Sequence, residues 1–422
     1  MNFKFIKKNY HITTFILLYF SLIIGFLFGE NTTLGPKFDF EHALKQLQLF
    51  EENFFYTLLN YDNIIYPTRI SPVFIIIILY LKKIFINIDL VRFILLNLIV
   101  LNQIYFYKNL KLVFLKKYKF IDKKNLFFLS TVIFISPSFR ANAIWPESAM
   151  VGLLFFNISI YYFLKFKIKL INIHIYQNII FLALASYVRP SFALFAIFFF
   201  VFYFIKIKDY IILIKIIFLN LTLSLPAFYY LFFLEVFFIN SGVSESSLNL
   251  NYLSKIAIIF SICFFHIIPL LYFKKFFLEN FFEKKNYLLI LATIVIFIIS
   301  LLNFNYNIDN TGGGIFLHLS YFISGNDFLF LLLTPLFIYF SIKLVFINTA
   351  DNLLLFLIIF LITPQFSIYH KYYDPLIFML AFSIFNFDIK EKYFSRSNIL
   401  IIFTFYLLYY LTSLTNSYFI NF

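Results

Sequence analysis

Asp39, Glu41 and His42 fall within the four-residue stretch Asp39-Phe40-Glu41-His42. On a helix, Asp39 and His42 are three residues apart and share a face, whereas Glu41 points elsewhere. A carboxylate with an aligned histidine is suited to taking a proton from a hydroxyl group. Asp39 and Glu41 stand as alternative bases, and the ordinary reading is a solvated helix start where acids favour the dipole. The helix that would carry them is entered through Gly35-Pro36 and is expected to run to about Asn60.

These residues belong to a polar insert from Glu30 to Pro72. It holds six of the chain's 20 acidic residues, namely Glu30, Asp39, Glu41, Glu51, Glu52 and Asp62. A connector needs only a handful of residues, so a stretch this long and acidic exceeds what topology requires. Its second half contains Asp62 and Tyr66-Pro67-Thr68-Arg69-Ile70-Ser71-Pro72. Two prolines there prevent continuous helix and predict a shaped loop.

The elements around the insert follow from composition. The chain is 62% hydrophobic and 13% charged over 422 residues, with mean hydropathy +0.90. Apolar runs of bilayer-spanning length recur from end to end, which makes it an all-α polytopic membrane protein with residues 1–422 in one integral-membrane domain. The formal charge of +14 lies in lysine clusters between apolar runs, as in loops that face anionic lipid, and not in a nucleic-acid surface. The single cysteine, Cys263, excludes an intrachain disulfide and a CxxC metal site. No cofactor is read from the sequence, and a divalent metal is left open.

Topology follows from the lysines. Lys4, Lys7 and Lys8 precede the apolar run Ile12–Phe28, which lacks a small-x-small cleavage site and is read as a retained signal anchor with a cytoplasmic N-terminus. The insert then lies outside. If Val73–Phe85 crossed, the lysines at 108, 111, 116, 117, 119, 123 and 124 would emerge on the wrong face. Residues 73 to 87 are therefore expected as an interfacial or re-entrant helix, which extends the first outer loop over 29–87. Ile88–Tyr107 becomes the second span. Further spans are expected near 125 to 138, 146 to 165, 176 to 188, 191 to 205, 210 to 239, 254 to 273, 287 to 304, 327 to 346, 352 to 363, 375 to 387 and 397 to 418. That gives about thirteen, with the C-terminus outside.

The chain has only five arginines, and Arg69, Arg92, Arg140 and Arg189 fall on or near the outer face, against the positive-inside trend. Only Arg396 lies inside. A lysine-biased chain with arginines there points to a planar fork that grips phosphate. Snorkelling or a structural ion pair is the ordinary alternative. Glu147 is read as a second acid near the site or as helix-dipole placement, and Trp145 as an interface anchor more readily than a sugar platform. Thr311-Gly312-Gly313-Gly314 is not a Walker loop and reads as a flexible outer loop. His318 has no spaced ligand partners, and Asn31-Thr32-Thr33 is a glycosylation sequon in form only.

This layout resembles the GT-C superfamily of integral-membrane glycosyltransferases, which use polyprenyl-phosphate-linked sugars. The patch Phe38-Asp39-Phe40-Glu41-His42, followed by Tyr61-Asp62 and Ser71-Pro72, is similar to the first-loop pattern of the dolichyl-phosphate-glucose alpha-glucosyltransferase family. That pattern runs acidic pair, histidine, glutamine-containing helix, Trp-Asp, then Thr-Pro-Pro. Here Asp39, His42 and Asp62 match, Ser71-Pro72 stands in for the diproline, and the adjacent acidic pair has become Asp-x-Glu. Ala185-Ser186-Tyr187-Val188-Arg189-Pro190 resembles the family's arginine at an outer helix end, without the Gln-Thr-Asn that follows it there. His370-Lys371-Tyr372-Tyr373-Asp374-Pro375 resembles the basic-Tyr-Tyr…Pro motif of the last outer loop.

The resemblance implies transfer of a sugar from a polyprenyl-phosphate donor to a hydroxyl of a glycan, lipid or protein acceptor by a single inverting displacement. It places the site on the extracytoplasmic face of a membrane such as the bacterial inner membrane, with membrane lipid as a partner and no nucleic acid. It puts Asp39, Glu41 and His42 in catalysis. Asp62, Arg69, Arg140, Glu147, Arg189, His370, Lys371, Tyr372 and Tyr373 then fall to substrate. An envelope polysaccharide polymerase usually has its largest outer loop late in the chain, and a lipid-oligosaccharide flippase needs charges along a central cavity. A transporter should show inverted repeats. Here the largest loop comes first and no repeat is evident.

Overall fold

A computed structural model describes residues 9–33, 35–61, 71–118, 121–232, 251–273, 284–306, 312–365, 367–387, 389, 391–415 and 417. Among these the regular structure is helical, with no β-strand. The chain forms two compact units, Met1–Ser241 with Phe394–Phe422, and Gly242–Tyr393. The first holds α1 (Tyr10–Leu27), α2 (Gly35–Glu52), α3 (Phe54–Leu59), α4 (Pro72–Phe85), α5 (Ile88–Lys117), α6 (Lys123–Ser130), α7 (Pro137–Ile144), α8 (Ser148–Lys169), α9 (Ile173–Val188), α10 (Phe195–Lys206) and α11 (Tyr210–Phe232). The second holds α12 (Ile256–Phe273), α13 (Lys284–Asn303), α14 (Gly314–Ser324), α15 (Phe328–Val345), α16 (Thr349–Leu361) and α17 (Leu376–Ser383). The last helix, α18 (Arg396–Thr415), belongs to the first unit.

Seven helical stretches among the described residues are long and apolar enough to cross a membrane. They are Tyr10–Leu27, Ile88–Lys117, Ser148–Lys169, Tyr210–Tyr230, Tyr252–Leu270, Phe328–Asn348 and Arg396–Thr415, and each coincides with an expected span. The other expected spans differ. The stretch near 125 to 138 is broken, because Lys123–Ile135 and Pro137–Ile144 meet at 68°; Pro137 cannot continue the hydrogen-bond ladder of the preceding turn. Ile173–Val188, Pro190–Lys206, Tyr287–Asn303 and Ala350–Leu361 are shorter apolar helices. The stretch 375 to 387 contains only the 8-residue α17. By length and composition the count among the described residues is seven, or up to 8 with the bent pair as one span, and the expected thirteen is not reached there.

Burial supports a bilayer around this structure. Only 11% of the apolar windows of α1 and of Tyr210–Tyr230, and 17% of α18, is covered by protein. Apolar surface on that scale needs hydrocarbon to cover it. The helix expected over 73 to 87 is α4, whose 14 residues measure about 21 Å at 1.5 Å per residue. That falls short of the ~30 Å hydrocarbon core.

Amides tie the buried helices of the first unit together. Asn157 Nδ2 donates to Asn102 Oδ1 at 2.7 Å, Asn102 Nδ2 to the Met150 carbonyl at 3.2 Å, and Asn109 Nδ2 to the Asn157 carbonyl at 3.2 Å. These bonds join α5 to α8. Asn178 and Ser159 share three more bonds across α8 and α9, and Tyr203 of α10 donates to Asn178 Oδ1 at 2.9 Å. Between apolar helices in lipid, such bonds replace the hydrophobic effect as glue, at about 0.6 kcal/mol each.

Candidate functional site

The acidic insert is held by the end of α1. Glu30 N–H donates to the Gly25 carbonyl at 2.8 Å and Gly29 N–H to the Phe26 carbonyl at 3.2 Å. This paired pattern closes a helix when the next residue is left-handed, and Gly29 has φ +66°. The turn folds Glu30 back over Gly25, where any Cβ would collide with its carboxylate. Arg140 of α7 meets it there, with Nε 2.7 Å from Glu30 Oε1 and Nη2 2.6 Å from Oε2. Nη1 also donates to Ser21 Oγ at 2.9 Å and the Phe134 carbonyl at 3.4 Å, and Nη2 to the Ser21 carbonyl at 3.1 Å. Both residues are buried.

A guanidinium has five N–H donors, and Arg140 directs all five to protein. Its expected phosphate role is therefore corrected to that of a clamp between α1, α7 and the start of the insert. Another insert acid, Glu51, is paired with Lys82 at 2.8 Å. The surplus of acids is in part structural.

The helix expected from Gly35-Pro36 to about Asn60 is two helices. α2 starts at Gly35 itself and ends at Glu52, and Asn53 caps α3 by accepting from Tyr56 N–H at 3.1 Å. Pro36, Phe40, Ala43, Leu47 and Phe50 are buried at helical spacing. Asp39 and His42 lie half-buried along the border of that face, and Glu41 is exposed. The His42 ring packs edge-on against Phe38, with centroids 4.4 Å apart. Asp62 and Arg69 lie outside the described residues.

Ser71-Pro72 is described, and it begins α4. Ser71 Oγ accepts from Val73 N–H as N-cap, Pro72 occupies the first turn, and the Ser71 hydroxyl donates to the Tyr187 carbonyl. Tyr187 precedes the Arg189 corner. α9 ends at Val188 because Pro190 disfavours the helical conformation at Arg189, whose φ is −138°. Beneath it, a Cβ on Gly152 would lie 2.9 Å from Arg189 Cβ, so the close approach of α8 requires glycine. Arg189 is half-buried. α4 also packs on α2, so one short helix touches both the Asp39 helix and the Arg189 corner. Glu147 is buried at the N-cap position of α8.

The second unit carries its own cluster. His370, Lys371 and Tyr372 form one 3-10 turn. The Lys371 ammonium lies 5.6 Å from the Tyr369 ring centroid and 5.8 Å from that of Tyr372. Tyr373 is buried and its hydroxyl is 2.7 Å from Thr363 Oγ1; burial pushes its pKa up. His370 is half-buried, but both ring nitrogens are shut off from solvent. Burial lowers its pKa to about 3. Burial thus disfavours the charged form of His370, whereas Lys371 carries a charge held beside two tyrosine rings.

Two neighbours adjoin this cluster, of which His266 was not singled out in the sequence. His266 of α12 packs against His370 with centroids 4.9 Å apart. Gly313 N–H donates to the Ile368 carbonyl at 2.9 Å, and a Cβ on Gly312 would fall 2.6 Å from that oxygen. The glycine run expected as a flexible loop is thus docked, in its described part, against the strand of chain leading to His370. Its signal was the three successive glycines, which here all adopt positive φ. His318 Nε2 lies 2.6 Å from the Gly312 carbonyl.

No group of three or more His, Cys, Asp or Glu side chains among the described residues is arranged to hold a metal ion. No family model, curated protein or solved structure matches this chain.

Proposed function

We propose that this protein is a membrane glycosyltransferase that moves a sugar from a polyprenyl-phosphate donor to an acceptor hydroxyl on the extracytoplasmic side. The acceptor O–H gives its proton to the carboxylate of Asp39, with Glu41 as the alternative. Its oxygen bonds to the anomeric carbon as the bond from that carbon to the phosphate oxygen breaks. The phosphate leaves as an anion, and the sugar configuration inverts. Charge held ready for a leaving anion is usually the largest catalytic contribution.

One observation carries the reading. The bond from Ser71 to the Tyr187 carbonyl brings two patches of the resemblance, far apart in sequence, to the same place in the first unit. Arg189 stands there with a fork suited to phosphate. Arg140 is left out of phosphate binding because Glu30 and Ser21 occupy it. In the second unit, Lys371 is the residue assigned to a lipid-linked phosphate.

The test is sugar transfer from a panel of polyprenyl-phosphate sugars in membranes carrying wild type or Asp39→Asn. We expect wild-type transfer from one donor and its loss in Asp39→Asn at unchanged expression and thermal stability. Full turnover in Asp39→Asn and in Glu41→Gln would remove the assigned base.

A further inference from the structure

Trp145 lies where several helix ends of the first unit meet. It is the C-cap of α7, its Nε1 donates to the Glu30 carbonyl at 3.1 Å, and Phe40 of α2 packs 6.4 Å from it. Two cations address its ring. The Arg92 guanidinium carbon is 3.8 Å from the ring centroid and the Lys37 ammonium is 5.4 Å away. Arg92 also lies 5.0 Å from the Phe26 ring and 5.8 Å from that of Phe40.

Arg92 is 9% exposed, yet its donors are not used up. Nη1 donates to Asp89 Oδ1 at 2.8 Å and Nη2 to the Ile144 carbonyl at 3.1 Å. Nε is buried and meets no acceptor among the described residues. A buried donor left without an acceptor is costly, and two cations beside one ring repel each other. Asp89 offsets one of them, but its side chain is 68% exposed and bonds only Nη1. A tryptophan serving as an interface anchor needs neither the second cation nor the open donor.

Depth points to the class of anion that such a cluster would take. Arg92 sits in the second turn of the 30-residue apolar helix α5, Lys37 in the first turn of α2, and Trp145 at the end of α7. Tryptophan, arginine and lysine at the ends of spans lie at the level of lipid headgroups. We propose that Lys37, Arg92 and Trp145 form a binding site for the phosphate of a membrane lipid. Arg92 supplies Nε–H and its remaining Nη protons, Lys37 a mobile ammonium at the open edge, and Trp145 the wall that holds both. The site does not depend on the transfer chemistry proposed above.

The chain has one tryptophan, so emission reports on this site alone. The full chain in a maltoside detergent, free of phospholipid, is titrated with short-chain phosphatidic acid, a short polyprenyl phosphate, inorganic phosphate and an uncharged diacylglycerol. We expect a saturable change in Trp145 emission with phosphatidic acid, polyprenyl phosphate or both, weakened about tenfold in Lys37→Gln. Arg92→Lys, which keeps the charge and loses the fork, weakens it further. A response to both lipids marks a headgroup site, and a response to polyprenyl phosphate alone marks a site for that lipid. Three results overturn the proposal: no saturable change with either lipid phosphate, equal binding of diacylglycerol or inorganic phosphate, or wild-type affinity in Lys37→Gln. Lys37 is exposed, so that variant stays folded and decides the matter if Arg92→Lys does not fold.

Discussion

Arg140 and Arg92 are both buried arginines near the ends of apolar helices in the first unit, and the sequence marks them alike. Arg140 faces a carboxylate that a left-handed turn delivers to it, and its five donors all end on protein. Arg92 stacks on an indole, shares one bond with an exposed aspartate and keeps a buried Nε–H without an acceptor among the described residues. The same residue type is thus a finished clamp in one place and an open one in the other. What separates them is the count of acceptors within reach. Burial and charge alone do not distinguish structure from binding.

The sharpest way to break this comparison is to open the finished clamp. Glu30→Gln or Arg140→Ala leaves a buried charge without its partner and should cost about 3 to 5 kcal/mol, read as the midpoint shift in detergent-induced unfolding. A loss under about 1 kcal/mol would mean that the pair is solvated as an exposed ion pair is.

His370 extends the question to the second unit, where burial acts on a group that can shed its charge. Unfolded, His370 binds a proton near 6.5, and folded only near 3. Between those values the unfolded state holds more protons. Stability is therefore full above about pH 6.5 and is lost as pH falls, by up to about 1.4 kcal/mol per pH unit. Unfolding midpoints at pH 7, 6 and 5 should fall in wild type and fall less steeply in His370→Gln. Equal slopes would show that the imidazole titrates normally.

Arg92→Gln should cost less than opening the Glu30 pair, about 1 to 2 kcal/mol, since it removes cation–π contact and leaves an exposed aspartate behind. A cost matching that of Arg140→Ala would erase the distinction between the two sites. The smallest effect is expected from Ser71→Ala, which removes one hydrogen bond to Tyr187 at about 0.5 to 1.5 kcal/mol. Donor affinity at the Arg189 corner should weaken in the same variant if that corner is set by α4, and donor titration against wild type reads this directly.

Much of the architecture was legible in the residues. Seven apolar runs became helices of spanning length and Arg189-Pro190 ended one, whereas Ser71-Pro72, expected within a shaped loop, caps a helix. Misreadings arose where a local signal had two meanings. Apolar runs such as 375 to 387 were apolar because they are buried in protein, and only eight residues there are α-helical. The glycine run read as flexible, yet positive φ and close approach also call for glycine.

The sequence by itself determined the helical membrane class, the amphipathic face of α2 and the break at Arg189-Pro190. Each is a property of a few neighbouring residues, set by apolar periodicity and proline. Only the tertiary structure decided which charges meet. Glu30 and Arg140 are 110 residues apart, and nothing local to either indicates the other. Their pairing depends on how α1 and α7 pack, and the lowered pKa of His370 and the open donor of Arg92 depend in the same way on the segments packed around each. Acceptors within hydrogen-bond reach and the loss of water are fixed by packing between distant segments.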